Sequence, residues 1–216
     1  MISNLRGNKP DLVVDVDDLM DYCMVLDPSQ TSLIQALAQT AQDYIQDIIG
    51  DYLVATPITW VMAKDEMSQN DFYFRSFLSN GSGSFGYGSG GGQWINLPTG
   101  AQSIESVTAA FWGQGEVALV ENQDYFPDLT TDPARIQLSF SYNLNDLYRN
   151  HSHMVVQYTG GIAADAASVP TSLVLAIKEM TKRMYKNRGA DEIKLTNSFI
   201  DSLISPHQRF NFGGRP

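Results

Sequence analysis

Chemistry needs a nucleophile, a base or a set of metal ligands held at workable spacing, and this chain of 216 residues offers few. Its three histidines are His151, His153 and His207. His151 and His153 alternate so as to share one face of a strand, as two metal ligands would. No third His, Cys or carboxylate stands at ligand spacing beside them, so a solvated loop or strand edge accounts for the pair as well. The single cysteine, Cys23, rules out a disulfide framework and lies in an apolar-periodic stretch, where a small buried side chain is expected rather than a nucleophile. Asp15, Asp17, Asp18 and Asp21 are spaced as cap and first-turn acids; the Gly and terminal Glu of an EF-hand loop are missing. Seven glycines fall among the twelve residues from Gly81 to Gly92. A phosphate-binding loop would end in Lys-Ser/Thr at a helix start, whereas here Trp94 and a strand follow. No G-x-S-x-G elbow occurs among the serines. No catalytic constellation results, no metal or other cofactor is expected, and the function is read as non-enzymatic.

Surface geometry is more informative. Lys178, Lys182 and Lys186 recur at i, i+4, i+8 with Leu175 among them, and Asp43, Asp47 and Asp51 repeat with the same spacing on another helix. At about 100° per residue, each stripe lies far round its helix from the apolar face, except that Asp51 drifts towards the edge of its own. If the two helices pack through those apolar faces, the stripes point away from each other. They then pair between neighbouring molecules in a head-to-tail ring, or remain two solvated faces of little energetic consequence.

The elements that must position these stripes are legible in outline. Val169–Gly189 reads as a helix, with Pro170 suited to its first position and Gly189 to the residue past its end. Leu173, Ile177, Met180 and Met184 share one face, and each buried side chain of this size is worth roughly 1.5–3 kcal/mol before entropy costs. Asp27-Pro28-Ser29-Gln30 is a helix start in capping-box form. That helix runs to about Ile49 with Ile34, Leu37, Ala38, Ala41, Tyr44, Ile45 and Ile48 on one face, and Gly50 closes it. Asp15 caps a shorter helix that turns Leu19, Met20 and Cys23 inward.

From Thr56 the hydrophobic period changes to two. Ile58/Trp60/Met62, residues 72–77, residues 94–97, Ile104–Phe111, Glu116–Val120, Arg135–Tyr142 and Met154–Tyr158 read as strands of an antiparallel sandwich or small barrel. The first ten residues read as a mobile polar lead-in. Leu195, Phe199 and Leu203 mark a last apolar-periodic piece. The fold class is therefore α+β: a small helical bundle (12–52 and 165–200), an inserted β domain (56–160) with a flexible glycine-rich loop (79–93), and an extended C-terminal arm (201–216).

Composition fits that reading. With 43% hydrophobic and 18% charged residues the chain is globular. Residues 1–15 lack a basic-then-apolar signal segment, and no run approaches the roughly 20 apolar residues of a membrane span, so a soluble protein without a membrane partner is expected. The net charge of −10 argues against broad binding of nucleic acid through its phosphates. It is unevenly spread: residues 178–216 hold eight Lys or Arg against four Asp or Glu, which leaves −14 on the remaining 177 residues. The C-terminal end is thus expected to meet a different surface from the rest.

Taken in order, DYIQDIIGDYL, PITWVMA, INLPTGAQSIESV, NQDYFPDLTTDPARIQLS, VVQYTGGIAADAASVPTSLVLAIKEMTKRMYKNRG and FIDSLISPHQRFNF resemble the head–tail adaptor (connector) family of tailed phages, from about residue 12 to 212. The closing segment resembles that family's Leu-Leu-x-Pro-Tyr-Arg type ending, with His207-Gln208 standing before Arg209 where the family more often has Tyr. The glycine-rich loop is longer than the family pattern. The resemblance implies a structural virion protein of the neck, made in the cytoplasm of a bacterial host. Such a protein forms a homo-oligomeric ring, usually of twelve subunits, under the portal protein. It extends the channel through which double-stranded DNA passes without specific binding, and it carries the stopper or tail-completion proteins. Portal docking would fall to Leu203, Ile204, Pro206, His207, Arg209, Phe210 and Phe212. Contacts between subunits would involve Asp43, Asp47, Asp51, Leu175, Lys178, Lys182 and Lys186. Two other readings compete: a stopper or tail-completion protein, and a β-sandwich module that binds glycans through Tyr87, Trp94 and Trp112.

Overall fold

The computed structural model describes residues 5–7, 10–63, 93–111, 115–139, 151–188 and 195–208. The chain divides into two compact units, a helical one of residues 9–56 and 161–216 and a β unit of residues 1–8 and 57–160.

In the helical unit, α1 (Val16–Cys23) is capped by Asp15, whose carboxylate accepts from the Asp17 N–H at 3.1 Å. Met24 ends it in the left-handed region at φ 58°. Asp27 then accepts from Ser29 N–H and Oγ at 2.9 and 2.7 Å and starts a single 3-10 turn, Pro28–Gln30. From that turn α2 (Thr31–Ile49) continues until Gly50, at φ 77°, donates its N–H to the Gln46 carbonyl at 2.8 Å. The third helix, α3 (Thr171–Lys186), is preceded by Pro170 at φ −51°, ψ 129°. Pro170 is thus the extended cap residue, one position earlier than the sequence pattern suggested, and Gly189 lies outside the described residues. A short helix, α4 (Ser198–Ile204), follows, with Asn197 as its cap.

These helices share one core. Ile34, Ala38, Ala41, Ile45 and Ile49 of α2 are buried with Leu173, Ala176, Ile177, Met180 and Met184 of α3, and Leu19 and Cys23 of α1 and Ile200 and Ile204 of α4 complete it. Leu37 and Ile48, expected in that core, are only partly buried at its border, and Tyr44 is 37% exposed. On α4 the buried pair is Ile200/Ile204, one residue along from the expected Phe199/Leu203. Phe199 is exposed, while Leu195 and Leu203 pack partly buried against the core.

Two buried glutamines on α2 hold irregular chain in place. Gln42 accepts from the Val13 N–H at 2.9 Å and donates to the Asp11 carbonyl at 3.0 Å. Gln46 accepts from the Leu53 N–H at 3.1 Å. Both glutamine side chains, themselves buried, are thereby hydrogen-bonded, and Gln46 also satisfies the N–H of the buried Leu53. Beyond α2, residues 52–55 run beside residues 161–163. Ile162 N–H donates to Tyr52 O at 2.9 Å, Ala163 N–H to Leu53 O at 3.1 Å and Ala55 N–H to Ala163 O at 2.8 Å, with Val54 and Ala163 bridged in parallel.

The β unit is a sandwich of two antiparallel sheets. Its strands are β1 (Leu5–Gly7), β2 (Thr56–Ala63), β3 (Gln93–Asn96), β4 (Ala101–Phe111), β5 (Glu116–Leu119), β6 (Tyr125–Asp128), β7 (Arg135–Leu138) and β8 (His151–Gly160). They form a five-stranded sheet in the order β1-β2-β8-β4-β5 and a three-stranded sheet in the order β3-β7-β6. Alternate residues turn inward, as the period of two demands: Ile58 and Met62, Met154, Val156 and Tyr158, Ile136 and Leu138. The buried Tyr158 hydroxyl shares a hydrogen bond of 2.7 Å with Thr99 Oγ1. Arg135 reaches Asp128 across the β6–β7 pair at 2.8–2.9 Å. Two strands went unread in the sequence. β1 lies in the expected lead-in and pairs with β2, and β6 contains Pro127, which interrupts a strand pattern. The expected strand at 72–77 and nearly all of the glycine-rich stretch fall outside the described residues.

The parallel pairing of 52–55 with 161–163 makes Gly161 critical. Its φ is +150°, and a Cβ there would stand 2.5 Å from the Val54 carbonyl oxygen. Gly161→Ala is predicted to cost about 1–3 kcal/mol, or about 2–4 °C of Tm for each kcal/mol in a chain of this size. Gly115→Ala, which meets nothing within 4 Å, should be neutral. A thermal melt that shows equal stability for the two variants contradicts this.

Candidate functional site

The lysine stripe on α3 does not face open solvent along its whole length, because α1 lies against it. Lys178 Nζ pairs with Asp18 Oδ2 at 2.8 Å and keeps only 19% of its side chain exposed. The Tyr22 ring stands under both Lys178 and Lys182, whose Nζ atoms are 5.9 and 4.7 Å from its centroid. The Tyr22 hydroxyl donates to Glu179 Oε1 between them. The ring's electron-rich face suits two ammonium groups, and its hydroxyl suits a carboxylate. Burial first, and then Glu179 as hydrogen-bond acceptor and negative charge, push the Tyr22 phenol up to about 12. Behind it, burial also raises the Cys23 thiol, while Lys182 and Lys186 pull the other way.

The six expected charged positions therefore separate. Lys178 is engaged by α1, Lys182 sits on Tyr22, and Lys186 is exposed at the helix end, where Arg188 stacks 4.1 Å over Tyr185. Leu175 is half-buried. Of the acids, Asp47 is exposed, and Asp43 is half-buried and accepts from Gln39 Nε2 at 3.0 Å. Asp51 is only 5% exposed and accepts from the Tyr52 N–H at 2.8 Å. It has left the stripe because α2 ends at Ile49 and the left-handed Gly50 turns the chain. A pairing geometry of two helices alone missed α1. Asp18, Tyr22 and Glu179 had no signal as a group, since 157 residues of chain separate Tyr22 from Glu179.

At the C-terminal end Ile204 is 1% exposed and Leu203 packs partly buried against the core, so neither is a free anchor. His207 Nε2 lies 2.8 Å from Ser172 Oγ in the first turn of α3. Pro206 is exposed. The chain read as an arm from residue 201 is thus helical and packed through His207, while Arg209, Phe210 and Phe212 lie outside the described residues. In the β unit, His153 Nε2 is 3.9 Å from Glu116 Oε1, and Trp94 lies on β3. Tyr87 and Trp112 are outside the described residues. Among the described residues no group of three His, Cys, Asp or Glu is placed to hold a metal ion, and no helix is long and apolar enough to cross a membrane.

Because the phenol of Tyr22 is held neutral, its contribution is complete below the ordinary tyrosine value near 10 and fades as pH rises towards 12. Tyr22→Phe is predicted to lower stability by about 1–2 kcal/mol at pH 8 and to remove one late step from the phenolate absorbance titration. Unchanged stability together with an unchanged titration would contradict the Glu179 hydrogen bond.

Comparison with family models and with curated proteins found no match to this sequence. Solved structures do share its fold. A chain from the virion of a native gene transfer agent particle aligns with a TM-score of 0.68 at 13% identity, covering 98% of this chain and 99% of that one. A chain from the neck of an empty gene transfer agent particle, computed with C6 symmetry, aligns at 0.64 and 13% over the same shares. A third, from the neck of the native particle computed with C12 symmetry, aligns at 0.56 and 15% over 98% of this chain and all of that one. The likeness takes in both the helical and the β unit.

Proposed function

We propose that this protein is a structural component of the neck of a phage-like particle, a head–tail adaptor. Its copies form a ring beneath the portal protein, extend the DNA channel and carry a stopper or tail-completion protein. The observation that carries the reading is the fold likeness, nearly end to end, to chains from gene transfer agent necks computed with six- and twelvefold symmetry. A helical unit interrupted by a β sandwich is a specific arrangement to share over 98% of the chain. Charge supports the reading as well. With a net −10, the surface repels duplex DNA and leaves it free to slide through a channel. The bracketing helices favour an adaptor over a stopper, which is usually more purely β.

In this reading the helical unit builds the ring and the last residues reach the portal. Asp43 and Asp47 face Lys186 of a neighbouring subunit, while Lys182 is held on Tyr22 of its own chain. Asp51 and Lys178 take no part, being buried and engaged within the monomer. Pro206, Arg209, Phe210 and Phe212 contact the portal, an aromatic and Arg set of the kind that anchors interfaces. Leu203, Ile204 and His207 hold the base of that arm to α3.

Capture by the purified portal protein of the same particle tests this. The full chain should bind. Deleting residues 209–216 leaves Ile204 and the Ser172–His207 bond in place, and portal binding by the folded deleted chain should weaken at least about tenfold, the loss of one anchoring residue. Failure of the full chain to bind portal contradicts the adaptor reading; undiminished binding by the deleted chain contradicts the assignment of the arm.

A further inference from the structure

Beside its buried face, α2 carries an apolar strip that the core covers only in part. Leu33 and Tyr44 are 38% and 37% exposed, and Leu37 and Ile48 are only partly buried. At 100° per residue these four fall within about 60° of one another, beside the buried face. Asp47 and Asp43 follow on the rim, about 70° and 110° from the centre of the strip. In the loop that leads into α2, Met24 and Leu26 are 79% and 96% exposed. Large apolar side chains gathered beside one row of charge are the anatomy of a protein interface rather than of scattered surface residues.

Charge selects the occupant. Asp43 and Asp47 border the strip and α2 holds no Lys or Arg, so this face accepts a basic partner. The end of α3 is basic: Arg183, Lys186 and Arg188 lie within six residues. Lys186 is exposed and Arg183 half-exposed. Burying an apolar strip between a row of Asp and a row of Lys and Arg would orient two copies head to tail, since the two surfaces differ and each molecule has both.

We propose that the outer face of α2, Leu33, Leu37, Tyr44 and Ile48 with Asp43 and Asp47, docks the basic C-terminal end of α3 of a second copy of this chain. The inference rests on the ring reading above only in requiring a second copy; it does not require the portal. The strip supplies the desolvated centre and the charges set direction and register.

Sedimentation of the full chain over a range of concentration and salt tests it. The parent should self-associate, more weakly as salt rises. Tyr44→Ala and Asp47→Lys should each weaken association about five- to thirtyfold, with unchanged circular dichroism and melting. Lys186→Asp should weaken it similarly, and the double variant Asp47→Lys/Lys186→Asp should recover most of the loss because the pair is reversed. A parent that stays monomeric at every concentration, or a double variant no better than the singles, overturns the proposal. The first outcome leaves the neck reading standing, since portal capture is measured separately; absence of portal capture with intact self-association overturns the neck reading and not this one.

Discussion

Everything in the helical unit depends on closing one hydrophobic core from pieces of chain that are more than a hundred residues apart. The buried faces of α2 and α3 pack against each other, so the chain must leave after α2 and return just before α3 at neighbouring points. The parallel pairing of residues 52–55 with 161–163 does this, and it tolerates no side chain at Gly161. An insertion with its two ends side by side is a modest entropic burden however long it is, because loop-closure cost grows only with the logarithm of length. A whole β sandwich can therefore occupy residues 57–160 at little entropic cost to the bundle it interrupts.

The same packing decides which charges are left for other molecules. α1 is acidic and short, and its Asp18 and Tyr22 engage the first two lysines of α3. That contact brings opposite charges together inside the monomer and leaves Lys186 and Arg183 as the outward basic end, against a first helical segment with no cation at all. A chain with so separated a distribution of charge has a built-in direction for stacking side by side, which a ring needs and a solitary monomer does not.

The long helices were legible because four apolar positions at spacings of three and four fix a face; Asp27 and Pro28 mark the 3-10 turn that leads into α2, and Gly50 fixes its other end. Elements with too few positions were not. The seven residues of α4 offer only two buried side chains, and the Phe199/Leu203 pattern matches the spacing as well as Ile200/Ile204 does. β1 has three residues, and β6 hides its period behind Pro127. Side-chain partnerships across the chain were beyond reach for a different reason. The hold of Tyr22 on Glu179 and of Gln42 on residues 11 and 13 depends on tertiary placement, and no local spacing encodes it. The stripe on α3 could be read from its period; what covers half of it could not. For the same reason Asp51 continued the period of Asp43 and Asp47 in sequence while the turn at Gly50 took it inside.

A chain built into the neck of a phage-like particle has one place in it, between head and tail. Electron microscopy of purified particles in which the chain carries an epitope bound by gold-labelled antibody measures that directly. Label is expected at the head–tail junction of every intact particle, and none on the capsid faces or the tail tip. Label elsewhere on the particle, or particles that assemble fully without the chain, would contradict it.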